Sequence, residues 1–309
     1  MDGKLSSDPL GFRLCFEAYQ AEPSLFNFLN ARLSKNHQQQ LPQLFEDEHV
    51  SVDGEVATSK QSLKVGQKVD ILLSAHLEAP VDDHWKVLWE NNELMAVFKP
   101  HLLPVSRTTR NLYNTLISLI RRQTPYANAH LLHRLDTETA GIVLIAKNSA
   151  ADKKWKPNLD KLITRKIYHA WVSGSPEWDE HLCECALSEK IDSPIRSQVY
   201  VVDPENPQQY PKPKQSKTAF RVLKREQRRS LLECELFTGR KHQIRAQLAY
   251  LSHPIIGDKI YSQAGKFYLK RLESDLTDQD FIVLGATSHR LTAVEIEINT
   301  DDERYTISI

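Results

Sequence analysis

The chain has 309 residues, enough for about two domains, and its 40% hydrophobic and 26% charged content is that of an ordinary globular protein. Collagen-like, mucin-like and wholly disordered chains are excluded, no apolar run approaches the ~20 residues that span a bilayer, and four scattered cysteines (Cys15, Cys183, Cys185, Cys234) make no disulfide scaffold. The net charge is zero, yet residues 100–271 hold 29 basic and 16 acidic residues, whereas 1–80 hold 7 and 11 and 272–309 hold 2 and 9; so basic a middle points to a polyanion, RNA or DNA.

Residues 1–23 are expected to be an N-terminal extension. They lack a basic segment followed by an apolar one, so export is not expected and the cytoplasm, with reduced thiols, is. Leu25, Phe26, Phe28, Leu29 and Leu33 recur at helical spacing and predict a short amphipathic helix. Val50 and Val52, Asp53-Gly54 and Val56 predict two short strands about a tight turn, and Val65-Gly66 to Ile71 a further turn and strand. Residues 24–75 therefore read as a small α/β module. Residues 76–84, polar with a proline, read as a linker, and 85–309 as a larger domain.

In that larger part, Trp85–Trp89 and Leu94–Phe98 predict a hairpin, Leu112–Arg121 a helix and Gly141–Ala146 a buried strand. Ala151–Ile163 is helical in two pieces because Pro157 interrupts it. Ile167–Val172, Ala219–Leu223, Ser230–Leu236, Phe281–Leu284 and Leu291–Ile298 are predicted strands, and Gln243–Ser252 a short helix. Residues 203–214, with four prolines, are predicted to be a surface loop. Mixed strands far apart in sequence favour an α+β fold with a mixed, largely antiparallel sheet.

Three segments concentrate chemistry. In Leu132-His133-Arg134-Leu135-Asp136-Thr137-Glu138-Thr139, a carboxylate sits between an arginine and two hydroxyls just before the buried strand. It is either a held nucleophile or base, or a turn cap with Arg134 paired on the surface. In Arg165-Lys166-Ile167-Tyr168, strand alternation puts Lys166 and Tyr168 on one face, where the ring packs in the sheet or stacks on a base. In Thr238-Gly239-Arg240-Lys241-His242-Gln243-Ile244-Arg245, polar residues open a helix whose start favours anions, and Arg245 lies one turn past Lys241, able to point inward. Cationic side chains at a helix start oppose the macrodipole, and that misfit favours function. The densest basic run is Lys212, Lys214, Lys217, Arg221, Lys224, Arg225, Arg228, Arg229. The 12 histidines show no metal-ligand spacing, and no metal is expected.

Together, His133-Arg134-Leu135-Asp136-x-x-Thr139-x-Gly141, Lys166-x-Tyr168, Thr238-Gly239-Arg240-x-His242-Gln243-Ile244-Arg245 and Pro254-Ile-x-Gly257-Asp258-x-x-Tyr261 resemble the RluA-type RNA pseudouridine synthases over about residues 85–298, and Lys99-Pro100 resembles an early motif of that family. The N-terminal module resembles S4-type RNA-binding domains. The resemblance implies isomerisation of uridine to pseudouridine in structured RNA, ribosomal or transfer, without a cofactor, membrane or obligatory protein partner. It implies that the uracil leaves C1′, turns and rejoins through C5. It makes Asp136 the catalytic aspartate, Tyr168 the ring on the target base and Arg245 the cation beside the carboxylate. It gives Arg134 a contact to RNA, with His133, Lys166, Arg240, Lys241, His242 and Gln243 as further RNA-binding candidates.

Departures from the family pattern are Ala140, where serine is usual, and His101-Leu102-Leu103 after the Lys-Pro pair. Where S4-type domains present a basic helix, this chain has Gln38-Gln39-Gln40 and Glu46-Asp47-Glu48. The module is therefore expected to keep a core and to have lost most RNA affinity. The competing reading is a catalytically inactive RNA-binding protein on the same scaffold. A glycosidase using Asp136 and Glu138 fits poorly, because carboxyls two residues apart rarely straddle a sugar.

Overall fold

A computed structural model describes residues 11–33, 35–74, 78–108, 111–301 and 303–309. The chain divides after Ala79 into two compact units. In the first, β1 (Gly11–Glu17), β2 (Val50–Val52), β3 (Glu55–Val56) and β4 (Lys68–Ser74) form an antiparallel sheet in the order β1-β4-β2-β3. Helices α1 (Leu25–Asn30) and α2 (Lys35–Glu46) belong to the same unit. Residues 11–17, expected in an extension, are thus a paired strand, and Phe16 meets Phe28 of α1 edge-on at 6.3 Å. The β2–β3 turn is made by Asp53 (φ 52°) and Gly54 (φ 92°), as a tight hairpin with right-handed twist requires. Of the expected linker, residues 76 and 77 lie outside the described residues and 78–84 carry no regular structure.

The second unit is built on one mixed sheet. Its strands are β5 (Lys86–Glu90), β6 (Leu94–Lys99), β7 (His130–Leu131), β8 (Ala140–Ala146), β9 (Ile163–Ser173), β10 (Glu180–Ser188), β11 (Tyr200–Val201), β12 (Lys214–Glu226), β13 (Arg229–Leu236), β14 (Leu291–Asn299) and β15 (Arg304–Ser308). The order is β11-β10-β12-β13-β9-β14-β8-β6-β5, with β15 on β14 and β7 on β8. Among the described strands only β8–β14 is parallel, through Thr292↔Ala140 and Ala293↔Gly141. The helices are α3 (Leu116–Gln123), α4 (Ser149–Trp155), α5 (Leu159–Leu162), α6 (Gln243–Tyr250), α7 (Lys266–Glu273) and α8 (Asp278–Leu284). No helix among the described residues is long and apolar enough to cross a membrane.

All seven residues of β8 are buried because both faces of the sheet are covered there. Val143 and Ile145 join Leu116 and Ile120 of α3 and Ile244 and Leu248 of α6 on one face. Ile142 and Leu144 join Trp155, Leu162, Ile296 and Ile298 on the other.

Three expectations are corrected. Phe281–Leu284 is the end of α8, not a strand. Thr277 and Asp280 cap one end reciprocally and Gly285 (φ 78°) closes the other, which outweighs the β preference of a Phe-Ile-Val run. Helix α3 starts at Leu116 rather than Leu112, because extended Thr115 accepts the Ser118 N–H and caps it. The 203–214 loop contains a helical turn at Pro207–Gln209, and its last residue, Lys214, already belongs to β12.

Gly141 makes the central joint possible. Its φ is +115°, and a Cβ there would collide with the backbone of Ala293, where β8 meets β14. Gly141→Ala is therefore expected to destabilise by several kcal/mol (about 3 or more) through backbone strain and displacement of β14. Thermal unfolding checks this; a melting temperature equal to wild type would contradict the close approach.

Candidate active site

Three chain segments converge on a cleft of about 920 Å³. The Asp136 loop lies between β7 and β8. Strand β9 contributes Lys166 and Tyr168, and α6 with the segment after it contributes Arg245 and Lys259. His289, immediately before β14, also lines the cleft.

The centre of the arrangement is Arg245. It is buried, and its guanidinium is divided between two carboxylates. Nε and Nη2 form a fork on Asp258 at 2.6 and 3.0 Å, while Nη1 reaches Oδ2 of Asp136 at 2.7 Å. Asp258 is 0% exposed, and the amides of Ile260 and Tyr261 also donate to it. Burial pushes the Asp258 carboxyl up, but Arg245 outweighs that and holds it far below the usual carboxylate range. Asp136 behaves alike: burial, the largest single effect, raises it, the Arg245 charge and hydrogen bond with smaller contributions from His242 and His289 lower it, and the net shift is downward. Its side chain keeps 34% of its surface open, and Oδ1 has no hydrogen-bond partner among the described residues.

The loop carrying Asp136 is clamped from every side. The Asp136 carbonyl accepts the Thr139 N–H (3.1 Å), so the backbone turn expected of a capping aspartate forms, while the side chain turns to Arg245. Lys99, 0% exposed, donates to the carbonyls of Pro100, Leu103 and Thr137 at 2.8, 2.8 and 3.0 Å. Burial pulls its pKa down to about 7, against the raising charges of Asp136 and Asp82. His101 bonds the Glu138 carbonyl. The Glu138 carboxylate receives Lys259 on both oxygens at 2.9 Å, with Arg271 at 3.4 Å and the His289 N–H at 3.2 Å. Thr139 Oγ1 meets His289 Nε2 at 2.7 Å.

The other residues singled out in the sequence separate into two sets. Lys166 and Tyr168 share the cleft face of β9, as alternation requires. Burial, with the Asp136 charge beside it, raises the Tyr168 hydroxyl above the usual phenol range, so it stays protonated. Arg134 is exposed at the cleft wall; Arg240 and Lys241 are exposed at its rim, bonded to the Gln215 carbonyl and to Glu189. His133 and Gln243 are committed elsewhere. His133 Nε2 accepts the Leu144 N–H at 3.0 Å, and burial drops its pKa to about 4, so the ring is neutral. Gln243 is 2% exposed and spends its amide on Thr238, the Arg240 N–H, the Lys217 carbonyl and Thr218. His242 is buried, and its ring lies between Tyr261 and Asp136.

Helix α6 begins at Gln243, the start expected from the sequence, and Arg240 and Lys241 lie just before its cap, His242. Five of the eight cations in the dense basic run are paired: Lys217 with Glu184, Arg221 with Glu233, Lys224 and Arg229 with Glu226, and Arg225 with Asp179. Asp258, Tyr261, Lys259, Glu138 and His289 were not assigned a role from sequence. The first two stood in the Gly257-Asp258-x-x-Tyr261 motif, whereas nothing in the sequence marks Lys259 or His289.

A family model described as RNA pseudouridylate synthase matches residues 93–250. The dual-specificity RNA pseudouridine synthase RluA of Vibrio vulnificus is 32% identical over 209 residues, covering 65% of this chain and 79% of that one. Ribosomal large subunit pseudouridine synthase D of Nitrosomonas europaea is 29% identical over 261 residues, covering 77% and 70%. The solved structure of human RNA pseudouridylate synthase domain containing 1 superposes with a TM-score of 0.58 at 21% identity, covering 75% of this chain and 86% of its own, a likeness of fold.

The buried imidazoles set a pH dependence. His133, His242 and His289 titrate near 4 in the fold, chiefly through burial, against 6.5 when unfolded. Between those values the unfolded chain binds protons that the folded one does not. Stability is therefore greatest above pH 6.5 and falls as pH drops towards 4. Urea unfolding across that window reads the slope; a flat profile would contradict neutral, buried rings.

Proposed function

The chain belongs to the RNA pseudouridylate synthase family and is an RluA-type RNA pseudouridine synthase, an isomerase of uridine in RNA, and we propose that Asp136 is its catalytic carboxylate. The observation that carries this reading is the Arg245–Asp136 contact at 2.7 Å inside the cleft. A carboxylate in a cleft rises in pKa on burial and loses the charge that attack on the sugar or base, or removal of a ribose proton, requires. Arg245, chief among the groups that lower it, with His242 and His289 outweighs that rise and keeps Asp136 ionised at neutral pH. An inactive RNA binder has no need of such a group.

Tyr168, held as a neutral phenol on the same cleft face, is positioned to pack its ring on the target base. The target atoms are hidden in a stacked helix, so the nucleotide is flipped out at a cost of a few kcal/mol, least in a loop or bulge. The cleft is at the upper end of the range, roughly 300–1,000 Å³, of sites that enclose small ligands. Arg134, Lys166, Arg240 and Lys241 at its walls and rim supply attraction to the RNA backbone, which makes binding salt-dependent. His133, Gln243 and His242 support the site from beneath rather than binding phosphate. The substrate is structured RNA, ribosomal or transfer, met in the cytoplasm; one relative is named for the large ribosomal subunit. The S4-like N-terminal unit, net acidic in sequence, contributes little of the affinity.

Asp136→Asn is expected to lower turnover at least about 10³-fold and to leave RNA affinity within a few-fold. Tritium release or pseudouridine sequencing of the treated RNA reads it, and retained turnover would refute the catalytic role. Mapping pseudouridines in ribosomal and transfer RNA from cells with and without the gene identifies the substrate. Arg245→Ala leaves Asp258 buried without its partner and is expected to lose about 3–5 kcal/mol of stability as well as activity; urea unfolding measures this, and undiminished stability would mean that the buried pair does not form.

A further inference from the structure

We propose that Tyr261 and His242 form a positioning pair for Asp136: Tyr261 fixes the His242 ring in the tautomer that carries hydrogen on Nε2 and aims that N–H at the Asp136 carboxylate. The inference rests on the reading of Asp136 as the catalytic group and adds a second donor to it.

His242 stands directly before α6 in the left-handed region (φ 55°), which a residue with a Cβ occupies at a cost of order 1 kcal/mol or more, and its side chain makes no capping bond. That backbone turns the ring inward. Its Nδ1 lies 3.1 Å from the Tyr261 hydroxyl and its Nε2 3.7 Å from Asp136 Oδ2. The two rings meet edge-to-face, with centroids 5.7 Å apart at 81°. Tyr261 is held in turn: its ring lies 5.1 Å from the Arg245 guanidinium, and its hydroxyl oxygen accepts the Val199 N–H at 2.9 Å.

The tautomer follows from counting donors. The phenol oxygen already receives the Val199 N–H, and its own hydrogen needs an acceptor. Nδ1 of His242 is the acceptor at hydrogen-bond distance among the described residues. Nδ1 therefore carries no hydrogen. The ring is neutral, since burial drops its pKa to about 4, so its hydrogen is on Nε2. The opposite tautomer leaves the phenol hydrogen without an acceptor and turns the Nε2 lone pair towards a carboxylate oxygen. Both penalties act in the same direction.

The consequence lies in the carboxylate's orientation. Arg245 Nη1 and His242 Nε2 approach the same oxygen, Oδ2, from two side chains. One donor leaves the carboxylate free to turn about Cβ–Cγ; two donors on one oxygen fix which oxygen remains for the substrate, and that is Oδ1. At 3.7 Å the histidine contact is about 0.5–1 Å longer than a hydrogen bond, a gap of the kind that closes when substrate seats. A neutral donor also orients Asp136 without adding a second cation, which would depress its basicity further.

Nitrogen-15 NMR of the full-length, histidine-labelled protein reads the tautomer directly: hydrogen on Nε2 of His242 is expected, and hydrogen on Nδ1 overturns the proposal. Tyr261→Phe is expected to release the ring into a mixture of tautomers; an unchanged spectrum also overturns it. In kinetics, His242→Asn, whose amide reaches only the Nδ1 position, should lower kcat about 10- to 100-fold with KM within a few-fold. His242→Gln sets an amide N–H near the Nε2 position and should recover at least about tenfold of that loss. Equal kcat for the Asn and Gln variants, or a loss carried by KM, contradicts the pairing. The NMR result stands even where a variant is too unstable to assay. An active Asp136→Asn enzyme would overturn the catalytic assignment and leave the tautomer measurement intact, so the two failures are distinguishable.

Discussion

A guanidinium buried between two carboxylates is the constraint on which the site depends. An isolated buried charge is expensive, and a buried ion pair is favourable only when geometry and extra hydrogen bonds compensate desolvation. Asp258 supplies that compensation: it is fully enclosed, accepts two backbone amides and grips Arg245 by its fork. The remaining nitrogen, Nη1, is left pointing at Asp136, which is only partly enclosed. The two carboxylates thus have unlike tasks. One neutralises and aims the arginine; the other, partly open to the cleft, meets it through a single oxygen, Oδ2. Environment, not residue type, separates the roles.

Aim is useless without a rigid loop, and the sheet provides one. The parallel contact of β8 with β14 brings residues 136–139 beside 287–290, so Glu138 and Thr139 reach His289. The glycine at 141 permits that approach because no side chain intervenes. From the opposite side, the Lys99 ammonium gathers three carbonyls, one of them from Thr137. Three carbonyls take all three hydrogens of the ammonium, the form that burial disfavours and the Asp136 and Asp82 charges favour. Placing Asp136 on a loop that leads into the interior strand β8 joins access with the precision that strands give.

What could be read from sequence, and what could not, follows from the range of the forces. The buried strand 140–146, the Pro157 interruption and the Asp53-Gly54 turn were legible because apolar runs and turn residues act over a few positions. Asp136, Tyr168 and Arg245, singled out by motifs in fixed order, line one cleft. Helix α8 was misread because its caps, Thr277 and Gly285, outweigh the β preference of the residues between. Strand β10 went unread because its Cys-Glu-Cys pattern gains strand character only from pairing with β12, and α2 because Pro42 lies inside it. The Glu138–Lys259–Arg271 cluster joins residues more than a hundred positions apart, and no periodicity encodes that.

The distribution of positive charge changes meaning once the strands are paired. Counted along the chain, the run from Lys212 to Arg229 is the strongest polyanion signal. Folded, five of its eight cations meet Glu184, Glu233, Glu226 and Asp179. Exposed pairs of this kind contribute little stability, roughly 0–1 kcal/mol each, but they reduce the field that would attract phosphate at a distance. At the cleft the balance differs: the Arg134 side chain is exposed with no ion pair among the described residues, and Lys166, lowered by burial, is countered by the charge of Asp160. Exposed positive charge without a carboxylate partner is thus found at the cleft mouth. That focusing, not the total of basic residues, is the electrostatic property the fold creates.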